Sequence, residues 1–356
     1  MRWINVKISI NFLGKLNFII NDNSSIIEGL EYLNKQKINT LIVVSEEKKV
    51  IGTVTDGDIR RFLLQGGDIK RSIKEVCNKS YAFAKSHDDA LKILVDLKEN
   101  NILSIPIVDD NFKLIDVVDD KKDKVDINFS ALIMAGGLGT RLRPLTENKP
   151  KPLLEINGEP IISRIIQNLS KAGIKEIFIS IRYLSYQIKD YLKEGQEFNV
   201  NIKYIEEDKP LGTAGCLWFL PRNIKNLIII NGDIRTELNL SSLMDFHINR
   251  NSIATVAVRN YVYKIPYGVI DILHENIKEI NEKPTKSYPV AAGIYALDME
   301  KIRKLKVLPI TRSFIDMPDL IKDLIKKDKK VKAFLVHEQW YDIGDLDTFN
   351  QLNQNQ

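Results

Sequence analysis

Seven residues between positions 136 and 151 could do chemistry together: Gly136, Gly137 and Gly139, then Arg141, Arg143, Lys149 and Lys151. Glycine lacks the Cβ that keeps backbone N–H groups away from a polyanion, and cations a few residues on would neutralise it. The spacing therefore describes a phosphate cradle. It is not a P-loop, because Thr140-Arg141 follows the last glycine where Gly-Lys-Ser/Thr is required. Nor is it a dinucleotide fingerprint: the third glycine is missing, and Arg141-Leu142-Arg143-Pro144 cannot open a helix cleanly. Two carboxylates stand at the ends of apolar runs, Asp233 after "LIIING" and Asp342 within "WYDIGD". Either alone is what a turn would contain; together, beside a phosphate loop, they form a candidate functional pair. His247, His274 and His337 have no metal-like spacing and read as structural.

These residues need a scaffold that brings loops to one edge. "ALIMAGG" reads as a strand running into glycine, and "EPIISRIIQNLSKAG" as a helix. Ile161, Ile162, Ile165, Ile166 and Leu169 keep helical spacing in it, and Gly173 stops it. The alternation continues through "IKEIFISI", "SYQIKDYLKEG", "NIKYIEE", "TAGCLWFLP" (taken as helical) and "NLIIINGD". It predicts an α/β fold with a Rossmann-like mixed, mostly parallel sheet wrapped by helices. In such folds ligands sit at the carboxyl ends of strands, where the glycine loop lies.

Before this region the chain repeats itself. "TLIVVSEEKKVIGTV" (Thr40–Val54) aligns without a gap with "SIPIVDDNFKLIDVV" (Ser104–Val118). Upstream of each, "SSIIEGLEYLNKQKI" and "DDALKILVDLKENNI" read as amphipathic helices. Ile26, Ile27, Leu30 and Leu33 in one, and Ala90, Leu91, Leu94 and Leu97 in the other, keep helical spacing; Ser24 and Asp88 are the expected N-caps. Residues from about 16 to 123 thus hold two copies of a helix–strand–turn–strand–helix unit that bury one core between them. The charged segment "DDKKDKVDINF" reads as a linker, giving domains over 1–125 and 128–356.

Length and composition suit this division: 356 residues can fill two or three cores, and 44% apolar with 28% charged residues exclude wholesale disorder. The net charge of +5 comes from cations scattered among anions, so solvated faces rather than nucleic-acid binding are expected. Cys77 and Cys216 are too few and too distant for a disulfide framework or zinc site, and read as buried thiols in a reducing cytosol. No run approaches the roughly 18 apolar residues of a membrane span, and the start lacks a cleavage site, so a cytoplasmic protein is expected.

The repeat pair resembles a tandem of CBS motifs, an α+β module that binds adenosyl nucleotides between its copies. The resemblance is specific at "GTVTDGDIRR", where it implies that Thr55 and Asp58 contact phosphate and ribose. The second copy has Asp119 and Lys122 at those positions, which implies one adenine-nucleotide site at most. A dimerising or spacing module without ligand is the alternative.

From Ser130 onward, "MAGGLGTRLRPLTENKPKPLL" resembles the signature of sugar-1-phosphate nucleotidylyltransferases, whose fold is glycosyltransferase-A-like. The resemblance implies that Ala135, Gly136, Gly137, Gly139 and Thr140 hold the nucleotide and that Arg141 and Lys151 act on the phosphates. "PLGTAG" implies Gly212 and Thr213 as a nucleoside loop. Asp233 and Asp342 would carry Mg²⁺. Gly268, Glu282, Lys283 and Gly293 would hold the sugar phosphate. Lys283 joins Lys151 on the incoming phosphate. Relatives often have Asn where Arg182 and Ala291 stand. Many also append a C-terminal β-helix; here the sequence ends shortly after Asp345, so none is expected.

The chemistry implied is attack by a sugar-phosphate oxygen on the α-phosphorus of a nucleoside triphosphate. That nucleophile is already ionised near neutral pH, its second pKa being about 6, so no general base is needed. Catalysis would be positioning and charge stabilisation. The resemblance implies that Glu206, six residues before Gly212, is the base reader; a carboxylate accepts from the N1–H and N2–H₂ donors of guanine. The expectation is therefore GTP with a hexose or hexosamine 1-phosphate. "IPYGVI", "DMPDLI", "HEQWYDIGD" and the leading CBS pair resemble the glucosamine-1-phosphate guanylyltransferases of legionaminic acid synthesis. The alternatives are a mannose 1-phosphate substrate, a UTP-, CTP- or dTTP-dependent version, or a nucleotide sensor without turnover. A homo-oligomer is expected, with neither nucleic-acid nor membrane partners.

Overall fold

Isoleucine-rich runs build the centre of the C-terminal region. Phe129–Ala135, Glu176–Ile181, Asn201–Glu206 and Asn226–Asn231 are strands paired in parallel. The inner three are covered on both faces, which is why they read as continuous apolar runs rather than alternating ones. Thr285–Asp298 joins antiparallel to Asn226–Asn231, Ala254–Lys264 joins antiparallel to it, and Val331–Leu335 closes that edge in parallel. The result is one mixed seven-stranded sheet whose order runs 201–206, 176–181, 129–135, 226–231, 285–298, 254–264, 331–335.

Helices fill both faces. Ile161–Lys171 buries all five of its apolar positions against Ile133, Ile177 and Ile179. Met317–Lys326 buries Leu320 and Leu324 on the other face with Leu132, Ile229 and Leu297. Each such side chain contributes about 1.5–3 kcal/mol through burial. The segment expected as one helix over "TAGCLWFLP" is a single α-turn, Gly212–Gly215, followed by a 3₁₀ turn, Cys216–Phe219. The buried Cys216 anchors it, and burial pushes its thiol up to about 12.

The structure, a computed structural model, describes residues 18–36, 38, 40–87, 89–90, 93, 104–119, 128–305, 307–308 and 314–354. They fall into two units divided between residues 127 and 128. Asp88, Leu91, Leu94, Leu97, Lys122 and most of the charged linker lie outside the described residues. No helix among the described residues is long and apolar enough to cross a membrane.

In the N-terminal unit the repeat is visible as pairing. Thr40–Val44 lies antiparallel to Val50–Thr55 and Ser104–Val108 to Leu114–Asp119, with a register shift at the equivalent point of each hairpin. The copies are joined where the Val50 amide donates to Phe112 O at 3.0 Å and the Leu114 amide to Lys48 O at 2.9 Å. Ile42, Val44 and Val50 of one copy share a core with Val108 of the other. The helix Ile26–Gln36 is capped by Ser25 rather than the expected Ser24. Ser25 Oγ and Glu28 Oε2 form a reciprocal box, and the Ser24 carbonyl is spent on the Ile73 amide.

Candidate active site

The glycine loop leaves the central strand at Ala135, at the carboxyl edge of the sheet. Gly139 has φ +63, and a Cβ there would lie 2.9 Å from Thr146 Cγ2 and 3.2 Å from Lys151 Cβ. Only glycine allows the returning segment to pass so closely. Thr146 Oγ1 donates to Gly139 O at 2.8 Å, and the Leu142 amide to the same oxygen at 2.9 Å, which closes the one-turn helix Thr140–Leu142. At Gly137 no protein atom lies within 4 Å of where a Cβ would stand, so packing within the protein does not require its glycine.

The returning segment delivers Lys151. Pro152, Leu153 and Leu154 are buried behind it, and its ammonium donates to Asp233 Oδ2 at 2.6 Å. Asp233 ends the neighbouring strand, where the Gly232 amide donates to Met134 O at 2.9 Å. Asp342 reaches the same place from the far end of the chain: Trp340–Asp342 pairs antiparallel with Ile234–Thr236, setting Asp342 opposite Ile234. Partial burial and the Asp233 carboxylate push the Asp342 carboxyl above its ordinary value, while Lys151 and Arg141 pull it back. Arg141 Nη1 stands 3.4 Å from where a Cβ on Gly344 would be, two residues past Asp342. The structure thus brings Arg141, Lys151, Asp233 and Asp342 together from three parts of the sequence.

This cluster is the candidate place for the Mg²⁺ expected from the sequence. Asp233 Oδ1 is buried with no hydrogen-bond partner among the described residues, which is costly unless a cation or donor meets it. Beside it stands a second carboxyl whose neutral form is favoured by the same neighbour. Among the described residues no group of three or more His, Cys, Asp or Glu side chains is arranged to hold a metal ion by itself. Two carboxylates are what Mg²⁺ uses when substrate phosphates complete its shell. The residues fit.

Residues that the sequence reading did not single out hold the carboxylates in place. The Arg259 guanidinium stacks 5.5 Å from the Trp340 ring and donates to Trp340 O at 3.1 Å. Trp340 Nε1 donates to Ala292 O at 2.8 Å. These contacts tie the Asp342 strand to the bulge around Gly293. There φ is +69, and a Cβ would fall 2.8 Å from Asn231 Nδ2. Gly293 therefore packs against the residue two before Asp233.

On the other side of the glycine loop Glu206, the expected base reader, and its neighbour Glu207 point different ways. Glu206 points to solvent and pairs with Lys189 on the helix Ser185–Leu192. Glu207 turns inward instead. Ser180 Oγ donates to its Oε1, the Leu211 amide donates to its Oε2 at 3.2 Å, and Oε1 lies 3.6 Å from where a Cβ on Gly136 would be. Alternation sets Glu206 on the strand face of Ile202 and Glu207 on that of Ile205; both faces are packed, and it is the Ser180 and Leu211 contacts that draw Glu207 toward Gly136.

The Pro210–Gly215 loop is pinned from a distance. Asp316 Oδ1 accepts from the Thr213 amide at 2.9 Å and from Thr213 Oγ1 at 3.2 Å, and Thr213 Oγ1 accepts from the Met317 amide at 2.8 Å. Gly212, at φ +75, passes so near Ile315 that a Cβ would lie 2.4 Å from its carbonyl oxygen. Thr213 is thus held by protein contacts through both its amide and its hydroxyl.

Of the expected sugar-phosphate residues, Gly268 and Glu282 meet at the base of the hairpin formed by Val269–Leu273 and Asn276–Asn281, with Glu282 Oε1 3.0 Å from where a Gly268 Cβ would be. Lys283 follows at φ +46. Among the described residues no ion pair ties Glu282 or Lys283 to the Asp233 cluster. Lys149 pairs with Glu155 at 2.7 Å, and Arg143 is exposed.

In the N-terminal unit Thr55 and Asp58 satisfy each other. Thr55 Oγ1 and the Thr55 amide donate to Asp58 Oδ2 at 2.7 and 3.0 Å, and the Asp58 amide donates to Thr55 Oγ1 at 3.2 Å. They form the capping box of the helix Asp56–Leu64. Arg61 also pairs with Asp58 Oδ1 at 3.1 Å.

Comparison with known proteins finds two kinds of domain in the chain. Residues 130–356 match the nucleotidyl transferase family, and residues 17–65 and 73–122 each match the CBS domain. The chain is 33% identical over 223 residues to a mannose-1-phosphate guanyltransferase of Saccharomyces cerevisiae, and 32% over 225 residues to one of Pichia angusta. Each match covers 60% of this chain, which spans about 60% of the length of those relatives. A Bacillus anthracis chain assigned as a glucose-1-phosphate thymidylyltransferase, solved with sucrose, superposes with a TM-score of 0.50 at 26% identity. That match covers 63% of this chain and 94% of the other.

Proposed function

We propose, for a chain that belongs to the nucleotidyl transferase family and carries two CBS domains ahead of it, that it transfers guanylyl from GTP to a hexose or hexosamine 1-phosphate and releases pyrophosphate. The observation that carries this reading is the convergence of Arg141 and Lys151 on Asp233 and Asp342 at one edge of the sheet. The relatives named for mannose 1-phosphate support the reaction class and make that sugar phosphate one acceptor to test. Glucosamine 1-phosphate, the choice favoured by the sequence motifs of legionaminic acid enzymes, is the other.

Along the strand ends the site divides by chemistry. The glycine loop holds the triphosphate, with Arg141 gripping the departing β- and γ-phosphates. Lys151 lies where it can hold the incoming phosphate oxygen against the α-phosphorus. Both cations oppose the repulsion between two polyanions, which is the main barrier to their meeting. Asp233 and Asp342 would hold Mg²⁺, which when bound neutralises phosphate charge. Lys151 would leave Asp233 for the acceptor phosphate. Glu282 and Lys283, at the hairpin base, reach the sugar and its phosphate. On the opposite side Glu207, fixed by Ser180 and Leu211, takes the base-reading role expected of Glu206.

The N-terminal unit is proposed to take one adenine nucleotide at Thr55 and Asp58 of its first repeat, opening their mutual capping box to do so.

A panel decides the reaction. The full chain with Mg²⁺ is offered GTP, UTP, CTP, dTTP or ATP with mannose, glucose or glucosamine 1-phosphate, and pyrophosphate is measured. GTP with one hexose phosphate is expected to give the fastest release. No release from any pair would leave the sensor reading in its place.

A further inference from the structure

The edge of the sheet beside Glu207 carries a second polar group. Arg182 follows the strand Glu176–Ile181 directly, at its carboxyl end, and its Cβ lies 3.6 Å from where a Cβ on Gly136 would stand. Its Nε donates to Gly136 O at 3.3 Å. Glu207 Oε1 lies at the same 3.6 Å from that Gly136 point. Gly136 therefore separates a guanidinium from a carboxylate, and the two form no ion pair.

The hydrogen-bonding groups of the pair are unequally spent. Glu207 is pinned through both oxygens, by Ser180 and by the Leu211 amide. A guanidinium has five N–H donors. Among the described residues Arg182 uses only Nε, on Gly136 O, and its terminal Nη groups make no hydrogen bond. One acceptor and one donor group are thus held on either side of the glycine, at the end of the site away from Asp233 and Asp342. The sheet order makes this an orientation: Arg182 and Glu207 follow strands 176–181 and 201–206, on one side of the strand that leads into Gly136, while Asp233, paired with Lys151, follows strand 226–231 on its other side. A nucleotide laid along this edge with its phosphates at the cations has its base at Arg182 and Glu207.

From this juxtaposition we infer that Arg182 is a specificity-determining residue, whose Nη donors read the O6 and N7 acceptors of guanine while Glu207 reads its N1–H and N2–H₂ donors. Arginine paired with O6 and N7 is a common way to recognise guanine, and a carboxylate complements the opposite edge. Adenine fails at both groups, since it offers a donor at position 6 and no N1–H. Pyrimidines present no N7. The inference rests on the guanylyl reading above and adds the group that makes the choice of base two-sided.

The test uses base analogues with the wild-type chain first, so that it does not depend on a variant folding. Steady-state KM and kcat are measured for GTP, 7-deaza-GTP (no N7 acceptor), ITP (no N2 amine), ATP and UTP, with the preferred sugar phosphate. Wild type is expected to show roughly five- to hundredfold lower kcat/KM for 7-deaza-GTP than for GTP, the range a good bidentate contact contributes. Arg182→Ala should raise KM for GTP by a similar factor, mostly sparing kcat, and should no longer distinguish 7-deaza-GTP from GTP. Arg182→Lys, which keeps the charge without the fork, should not restore the distinction. If GTP is preferred and ITP disfavoured, yet 7-deaza-GTP equals GTP in wild type, the Arg182 assignment falls and the guanylyl reading stands. Equal loss of kcat on every nucleotide in Arg182→Ala would overturn it too, leaving only a brace for the Gly136 carbonyl. Preference for UTP or ATP over GTP in wild type would sink both readings.

Discussion

Lys151 Nζ lies 2.6 Å from Asp233 Oδ2, although 82 positions separate the two residues in the chain. The other oxygen of that carboxylate is buried without a partner among the described residues. Lys151 thus occupies the carboxylate that the proposed metal ion would need, and the two cations would compete for Asp233.

That competition has a measurable consequence. Asp233→Asn should lower turnover roughly a thousandfold, the several kcal/mol that a bound cation contributes at phosphate charge. Lys151→Met should lower turnover roughly a hundredfold, the loss expected on removing one electrostatic stabiliser. Yet Lys151→Met should bind Mn²⁺ more tightly than wild type when free metal is followed by electron paramagnetic resonance. Mn²⁺ affinity equal to wild type would mean that Lys151 does not compete for the carboxylate.

Glu206 and Glu207 should separate cleanly. Glu206→Gln removes an exposed ion pair with Lys189, worth at most about 1 kcal/mol, and should leave nucleotide preference unchanged. Glu207→Gln replaces an acceptor by an amide beside Gly136 and should raise KM for GTP about tenfold. A shift in base preference from the Glu206 variant would reverse the assignment.

Glu206 and Glu207 show what the sequence can and cannot reach. Counting back from Gly212 finds an acidic position, but the strand ending at Glu206 buries Ile202 on one face and Ile205 on the other, so alternation does not tell which carboxylate turns toward Gly136. The contacts of Ser180 and the Leu211 amide decide it. Arg141, Lys151 and Asp233 were legible because each follows a glycine, proline or apolar run that local rules can place. Asp316 and Arg259 were not, because their importance arises through contacts 103 and 81 residues away, with Thr213 and Trp340. Thr55 and Asp58 were found from a motif, but their mutual hydrogen bonds needed coordinates. The sheet was legible for the opposite reason: strands covered on both faces declare themselves as unbroken Ile, Leu and Val.

Gly212 is held by backbone, so its replacement should be costly. At φ +75, with Ile315 O 2.4 Å from the new Cβ, Gly212→Ala should destabilise the C-terminal unit by about 1–3 kcal/mol. Differential scanning calorimetry should show its transition lowered by several degrees. An unchanged transition would mean that the segment around Ile315 yields freely.

The capping box offers a controlled test of the N-terminal unit. Thr55→Ala and Ser25→Ala each remove a cap from a helix of that unit, at a cost of about 1 kcal/mol. Only the first touches the proposed nucleotide contacts. Calorimetric titration of the full chain with AMP, ADP and ATP should therefore lose its heat in Thr55→Ala and keep it in Ser25→Ala. Equal loss in both would assign the effect to stability, and no heat in wild type would leave a spacing module.

His247 should make the C-terminal unit sensitive to acid. It is 1% exposed, with Nδ1 2.9 Å from Thr255 Oγ1 and Nε2 buried without a partner among the described residues. Burial pushes its pKa down from 6.5 to about 4; Asp298 nearby opposes the shift and Lys301 adds to it. Between those values the unfolded chain binds a proton that the folded one refuses. Stability is therefore intact above pH 6.5 and falls as pH drops toward 4, by about 1.4 kcal/mol per unit where the difference is complete. Below about 4 the folded ring protonates as well and this contribution stops changing. Urea unfolding of wild type and His247→Gln at pH 7, 5.5 and 4.5 isolates the residue from other titrating groups. The gap between the two curves should shift steadily in favour of the glutamine variant as pH falls, whereas parallel curves would mean that the imidazole accepts its proton in the fold.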